Sequence, residues 1–110
     1  LKLTPTKFYA AFPDGLLLMD GHEFEAAGRT WVVHRKREPY CEYDKSYSVS
    51  DKETGFGLTR VMDGLDITNR QHAARYAHDK LESLGPELIE KATKKATETR
   101  KTLKKLKVPT

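Results

Sequence analysis

The chain has 110 residues, a hydrophobic fraction of 37%, a charged fraction of 33% and a formal net charge of +4. That length suits one domain around one modest core. The lone cysteine, Cys41, excludes an internal disulfide and a thiolate zinc site. No stretch approaches the ~20 apolar residues of a membrane-spanning helix, so no membrane partner is expected, and the absence of cysteine pairs points to a cytoplasmic setting. The charge is uneven. From Pro86 onward eight lysines and arginines face three glutamates, whereas the residues before it carry twelve cations and thirteen carboxylates.

Taken in order, residues 1–7 read as a lead-in, and Phe8–Phe12 as a short strand or a single helical turn. Pro13-Asp14-Gly15 is a turn signal, because proline presets φ and glycine opens it. Leu16–Met19 then reads as a strand, and Asp20-Gly21 as a turn into the stretch that organises the fold. That stretch, His22 to His34, predicts a β-hairpin about Ala27-Gly28. A two-residue loop there sets Ala26 against Arg29, Phe24 against Trp31 and His22 against Val33. The cross-strand pairing of Phe24 with the only tryptophan contributes roughly 0.5–1.5 kcal/mol beyond area burial. It also pins the register, since a one-residue slip turns both rings to solvent.

From Arg35 to Ser46 the alternation breaks, and Pro39 argues against a central strand. The loop sets Arg35, Lys36 and Arg37 beside Tyr40 and Tyr43. Arginine and tyrosine are residue types that anchor interfaces, so these five form one candidate partner-binding set; a solvated surface loop is the plainer reading. Tyr47-Ser48-Val49-Ser50 and Phe56-Gly57-Leu58-Thr59 alternate about Asp51–Gly55, which predicts a second hairpin closed by a left-handed Gly55. Tyr47, Val49, Phe56 and Leu58 are expected on the face of Phe24 and Trp31. Val61-Met62 extends the last strand before a turn at Asp63-Gly64.

A helix is expected over 69–84, opened by a capping box of Thr68 and Gln71 and stopped by Gly85. Its apolar face is Ala73, Ala74, Ala77, Leu81 and Leu84, with Tyr76 at the edge. Pro86 opens a second, basic helix over 86–107, with a heptad-like stripe of Ile89, Ala92, Ala96, Thr99, Leu103 and Leu106. Glu87 with Lys91 and Glu90 with Lys94 are spaced as (i, i+4) ion pairs. The stripe is narrow enough to dock on the domain, pair with a second copy, or project. Lys94, Lys95, Arg100, Lys101, Lys104 and Lys105 form the second candidate binding set, for an acidic protein face or for the phosphates of a nucleic acid.

The residues of catalysis are missing. His22, His34, His72 and His78 are scattered without metal spacing, and Gly55-Phe56-Gly57 lacks the third glycine and the helix of a phosphate loop. No catalytic, cofactor-binding or metal residue is expected, and no cofactor. The fold class expected is α+β: an antiparallel sheet of about four strands in two hairpins covered by one helix, residues 1–85, followed by the long basic C-terminal helix, docked or projecting. Gly28–Val33 and Asp51–Gly55, as landmarks of hairpins followed by a capped helix, give the stretch from Gly21 to Leu84 an order similar to that of many short proteins of phages and mobile elements. Some of those, anti-CRISPR and other anti-defence proteins among them, bind a host complex. The likeness implies a stoichiometric binder, an inhibitor or regulator, and assigns no residue a role. Protein–protein interaction is the expected function, with non-specific nucleic-acid binding through the basic helix as the alternative.

If Trp31 centres the core, Trp31→Ala destabilises the protein by about 3–5 kcal/mol, the usual cost of deleting a core tryptophan. A denaturant curve close to the parent's removes the hairpin from that role.

Overall fold

The computed structural model describes residues 1–12, 14–35, 46–58 and 67–105. Its centre is the expected hairpin. Strand β2, Gly15–Ala26, pairs with β3, Arg29–Arg35, and the partners are Ala26 with Arg29, Phe24 with Trp31 and His22 with Val33. Ala27 and Gly28 both have positive φ, 50° and 75°, the requirement of a tight turn that follows the twist of its strands. The Trp31 indole donates to the Ala26 carbonyl at 2.8 Å, so its one polar atom is satisfied inside the core.

Two strands flank the hairpin and complete a sheet of order β1-β2-β3-β4, antiparallel throughout. Strand β1 runs Thr4–Phe12, so half of the supposed lead-in belongs to the sheet, and Phe8–Phe12 is strand rather than helical turn. Strand β4 is Tyr47–Asp51. No turn occurs at Asp20-Gly21, because β2 passes straight through it. Gly21 is there for space: a Cβ would overlap the Val32 side chain and lie 2.9 Å from the Val33 carbonyl oxygen. The second hairpin is only begun. After β4 the chain turns and returns as far as the described residues go, with the Asp51 amide donating to Phe56, the Leu58 amide to Val49, and a lone bridge from Ser50 to Gly57. Thr59, Val61-Met62 and Asp63-Gly64 lie outside the described residues.

The sheet coils. The Ala11 amide of β1 donates to the Gly55 carbonyl at 2.9 Å, which brings one outer strand against the turn that follows the other. Phe8, Ala10 and Val32, with Phe12 and Met19 at the margin, fill the space inside this curl. The opposite face carries the larger core of Phe24, Trp31, Val33, Tyr47 and Val49, and the first helix covers it.

That helix, α1, is Arg70–Leu84. Its Ala73, Ala74, Ala77 and Leu81 are fully buried, and small alanines let the helix lie close to the strands. The cap differs from the capping box by one residue: Asn69 accepts from the His72 amide, and the Gln71 side chain donates to the Leu1 carbonyl instead of reaching back. Near its other end, Glu82 accepts the Ala27 amide at 2.8 Å and ties the helix to the hairpin tip.

After Gly85 the second helix, α2, runs Pro86–Arg100, short of the 107 expected for a long basic helix. Its end tightens into (i, i+3) bonds from Thr102 to Thr99 and from Leu103 to Arg100. The chain then turns back to β2, where the Lys104 carbonyl accepts the Leu16 amide at 2.8 Å and Lys105 bridges in parallel to Leu16. The helix is docked. Ile89 and Thr93 are buried, and Ala96, Arg100 and Leu103 are half-buried, so the inward seam is rotated from the heptad stripe and leaves Ala92 and Thr99 exposed. Among the described residues neither Glu87–Lys91 nor Glu90–Lys94 forms the ion pair its spacing allows.

Gly28 and Gly55 separate two costs. Both have positive φ, but a Cβ at Gly28 meets open space whereas one at Gly55 overlaps the Tyr9 carbonyl. Gly28→Ala therefore carries only the left-handed strain of about 1–2 kcal/mol. Gly55→Ala also forces the turn off β1 and is the more damaging variant. Urea denaturation of both checks the order, and equal losses remove the Gly55–β1 contact from the determinants of the coil.

Candidate functional site

The first candidate set is described in part. Arg35 ends β3, whereas Lys36, Arg37, Tyr40 and Tyr43 lie outside the described residues. The Arg35 guanidinium sits 5.0 Å above the Tyr47 ring, a cation–π distance. Arg70, from the first turn of α1, approaches the same corner and donates to His22 Nε2 at 3.2 Å. Partial loss of water, and then the positive Arg70, hold His22 below the ordinary imidazole value. His22 and His34 lie on opposite faces, as the register required, and do not converge.

His34 looks into the coil. Its ring contacts Phe8 at 5.2 Å between centroids. Nδ1 lies 2.9 Å from the Arg35 carbonyl, which can only accept, so Nδ1 bears the hydrogen and Nε2 accepts from the Ser50 hydroxyl at 2.7 Å. Burial lowers the His34 pKa, partly opposed by the bond to the Arg35 carbonyl. This is a satisfied core histidine. Among the described residues no three His, Cys, Asp or Glu side chains are placed to hold a metal ion, and no helix is long and apolar enough to cross a membrane.

A second buried polar group shapes the other side of the fold. The Asp51 carboxylate, 3% exposed, accepts from Arg29 Nη2 at 2.8 Å and Nε at 3.3 Å, and from the Thr54 hydroxyl at 2.7 Å and amide at 3.2 Å. The hydrogen bond to Asp51 raises the Arg29 pKa against the opposing effect of burial, with smaller help from the charges of Asp51 and Glu53. Sequence reading placed a turn at Asp51–Gly55 but missed this network, whose partners stand twenty-two positions apart.

Beside it opens an apolar cleft of about 330 Å³. Trp31 and Ile89 contribute to its lining, with Phe56 and Leu58 from the turn after β4 and Leu84 and Leu88 from the junction of the two helices. Leu84 is 45% and Leu88 55% exposed, although both are large and apolar. Leu88 had a signal in the sequence: it lies one position outside the expected stripe, where a solvated helix face calls for a polar residue. Lys91 and Lys95 follow Leu88 and Ala92 at (i, i+3), so they are their neighbours on the exposed side of the helix; they do not line the cleft itself, and with Lys94, Glu98 and Thr99 they surround a separate shallow hollow.

The second candidate set does not form one row. Lys94 and Lys95 are exposed on α2, near Lys91 and Glu98. Arg100 is half-buried and turned toward the domain, and Lys101 is exposed at the helix end. Lys104 and Lys105 lie against β2, where the Lys105 ammonium sits 4.5 Å over the Tyr9 ring. Among the described residues, Lys91, Lys94, Lys95, Lys101 and Lys104 make no ion pair. No family model, no curated protein and no solved structure matches the chain.

His34 gives this description a pH signature. A histidine that holds its proton less tightly when folded contributes stability in full above the ordinary value of 6.5 and loses it as the pH falls toward the depressed folded pKa. Urea midpoints are thus expected to fall between about pH 7 and about pH 5, with His22 adding in the same direction. His34→Gln reduces the slope; a variant with the parent's slope shows that another group carries it.

Proposed function

We propose that the protein acts by binding a partner protein with an acidic surface, using α2 and the cleft it borders. The observation that carries this reading is the pair of exposed leucines, Leu84 and Leu88, at a cleft beside lysines that have no carboxylate partner among the described residues. Buried apolar area supplies affinity at protein interfaces, and a rim of one charge selects the partner and speeds encounter. A polar nucleic-acid backbone leaves the leucines unused. In this role the chain works stoichiometrically, as an inhibitor or regulator of the complex it joins, and performs no chemistry.

Nucleic-acid binding is the second reading, favoured by Lys94, Lys101 and Lys104, which make no ion pair among the described residues. Its cations are dispersed and one is stacked on Tyr9, so such binding is weak and insensitive to sequence.

A photo-crosslinking residue at position 88, with one at the exposed Leu18 as control, separates the two. The expected result is an adduct with an acidic protein from position 88 and not from 18, lost when Lys91 and Lys95 are both changed to glutamate. Anisotropy with labelled DNA and RNA is expected to show only weak binding that vanishes with salt. Adducts with nucleic acid alone, or equal adducts from both positions, overturn the proposal.

A further inference from the structure

We infer that the cleft is the seat of an amphipathic helix of the partner, apolar along one stripe and acidic along the border that meets Lys91 and Lys95. The inference rests on the protein-binding reading and specifies what that surface receives. On α2 the cleft is lined by Leu88, Ile89, Ala92, Thr93 and Ala96; Ile89 and Thr93 are buried against the domain, which leaves as the more open row Leu88, Ala92 and Ala96, spaced by four. They form a ridge about 12 Å long, two turns of helix. Such rows pack into the grooves of a second helix, and the two alanines allow the close axial approach this needs. Phe56 and Leu58, from the turn after β4, and Leu84 add to the apolar lining. The complementary segment presents apolar residues at i, i+4 and i+7, the usual anchors of a helix laid in a groove.

Charge selects the occupant. Lys91 and Lys95 border the ridge on its solvent side, where carboxylates of the incoming helix find them unpaired among the described residues. A second copy of this chain, laid antiparallel with its two-fold axis beside Thr93, sets Lys91 of each against Lys95 of the other, and like charges in contact are unfavourable. An acidic helix has no such penalty.

Trp31, the only tryptophan, helps line the cleft and reports its occupancy by fluorescence. The probe is a synthetic helical peptide with leucines at i, i+4 and i+7 and glutamates flanking them, alongside a lysine-flanked version and a glutamate peptide without leucines. Only the first is expected to bind the parent protein and shift its emission. Leu88→Ser, at an exposed position that leaves the fold intact, weakens it about tenfold or more. The double variant Lys91→Glu, Lys95→Glu loses the glutamate-flanked peptide and gains the lysine-flanked one.

Binding of the leucine-free peptide as tightly as the first, indifference to Leu88→Ser, or a dimer of the full chain that Leu88→Ser dissociates overturns the inference. If position 88 still crosslinks to an acidic protein in a lysine-dependent way while the peptide fails, the helical seat falls and the protein-binding reading stands. If both fail, both fall.

Discussion

The Asp51 carboxylate holds together the parts of the fold on which the rest depends. It sits at the end of β4, receives Arg29 from the start of β3, and folds the following turn through the Thr54 hydroxyl and amide. A carboxylate that deep is tolerated only when its lone pairs are filled, and here four donors fill them. The turn it fixes has two further duties. Its Gly55 carbonyl catches the Ala11 amide and draws the sheet into its coil, and its continuation, Phe56 and Leu58, becomes a wall of the apolar cleft. Shape of sheet and shape of surface therefore share one electrostatic anchor.

Against that anchor the sheet's two faces have separate work. The inner face of the coil is sealed by Phe8, Ala10, Val32 and a neutral His34 whose two nitrogens are both engaged. It is a small second core. The outer face is covered by α1 through alanines and Leu81, then only partly by α2 through Ile89 and Thr93. A helix that buries one isoleucine and one threonine leaves much of its neighbouring apolar surface uncovered, which is how Leu84 and Leu88 come to be exposed beside a folded core. The apolar cleft is thus a product of incomplete coverage, placed where the two helices meet.

What the sequence disclosed follows the range of the interactions involved. The central hairpin was legible down to its residue pairs, because turn chemistry and alternation are local and both pointed to Ala27-Gly28. So were the left-handed Gly55 and the buried face of α1 as far as Leu81, whereas Leu84, read as the last member of that face, is exposed. Asp20-Gly21 misled because it has the composition of a turn, while the reason for Gly21 is the side chain of Val32 on the next strand. Asn69 took the cap from Thr68, and Gln71 was drawn away by a carbonyl at the other end of the described chain. The stripe on α2 was read as a heptad seam, but docking rotated it so that Thr93 is inside, its hydroxyl bonded back to Ile89. The cleft itself could not be read, since its walls come together only when the sheet coils. The lysines were visible from composition; their separation into a group beside the cleft, a helix end and a stacked Lys105 was not.

The bond between Leu16 and Lys104 sets an order for the protein's synthesis. Both strands of the first hairpin emerge early and can pair at once, since their contacts are close in sequence. The stretch of β2 around Leu16 then keeps one side without its final partner until residue 104 has been made. An unpaired strand edge beside exposed apolar residues is the usual template for wrong pairing between chains. Leu18 stands at that edge and remains exposed even in the finished fold. A growing chain therefore stays open to association with its neighbours along this edge until residue 104 has been made, and the short returning segment after α2 is the cover that ends the hazard.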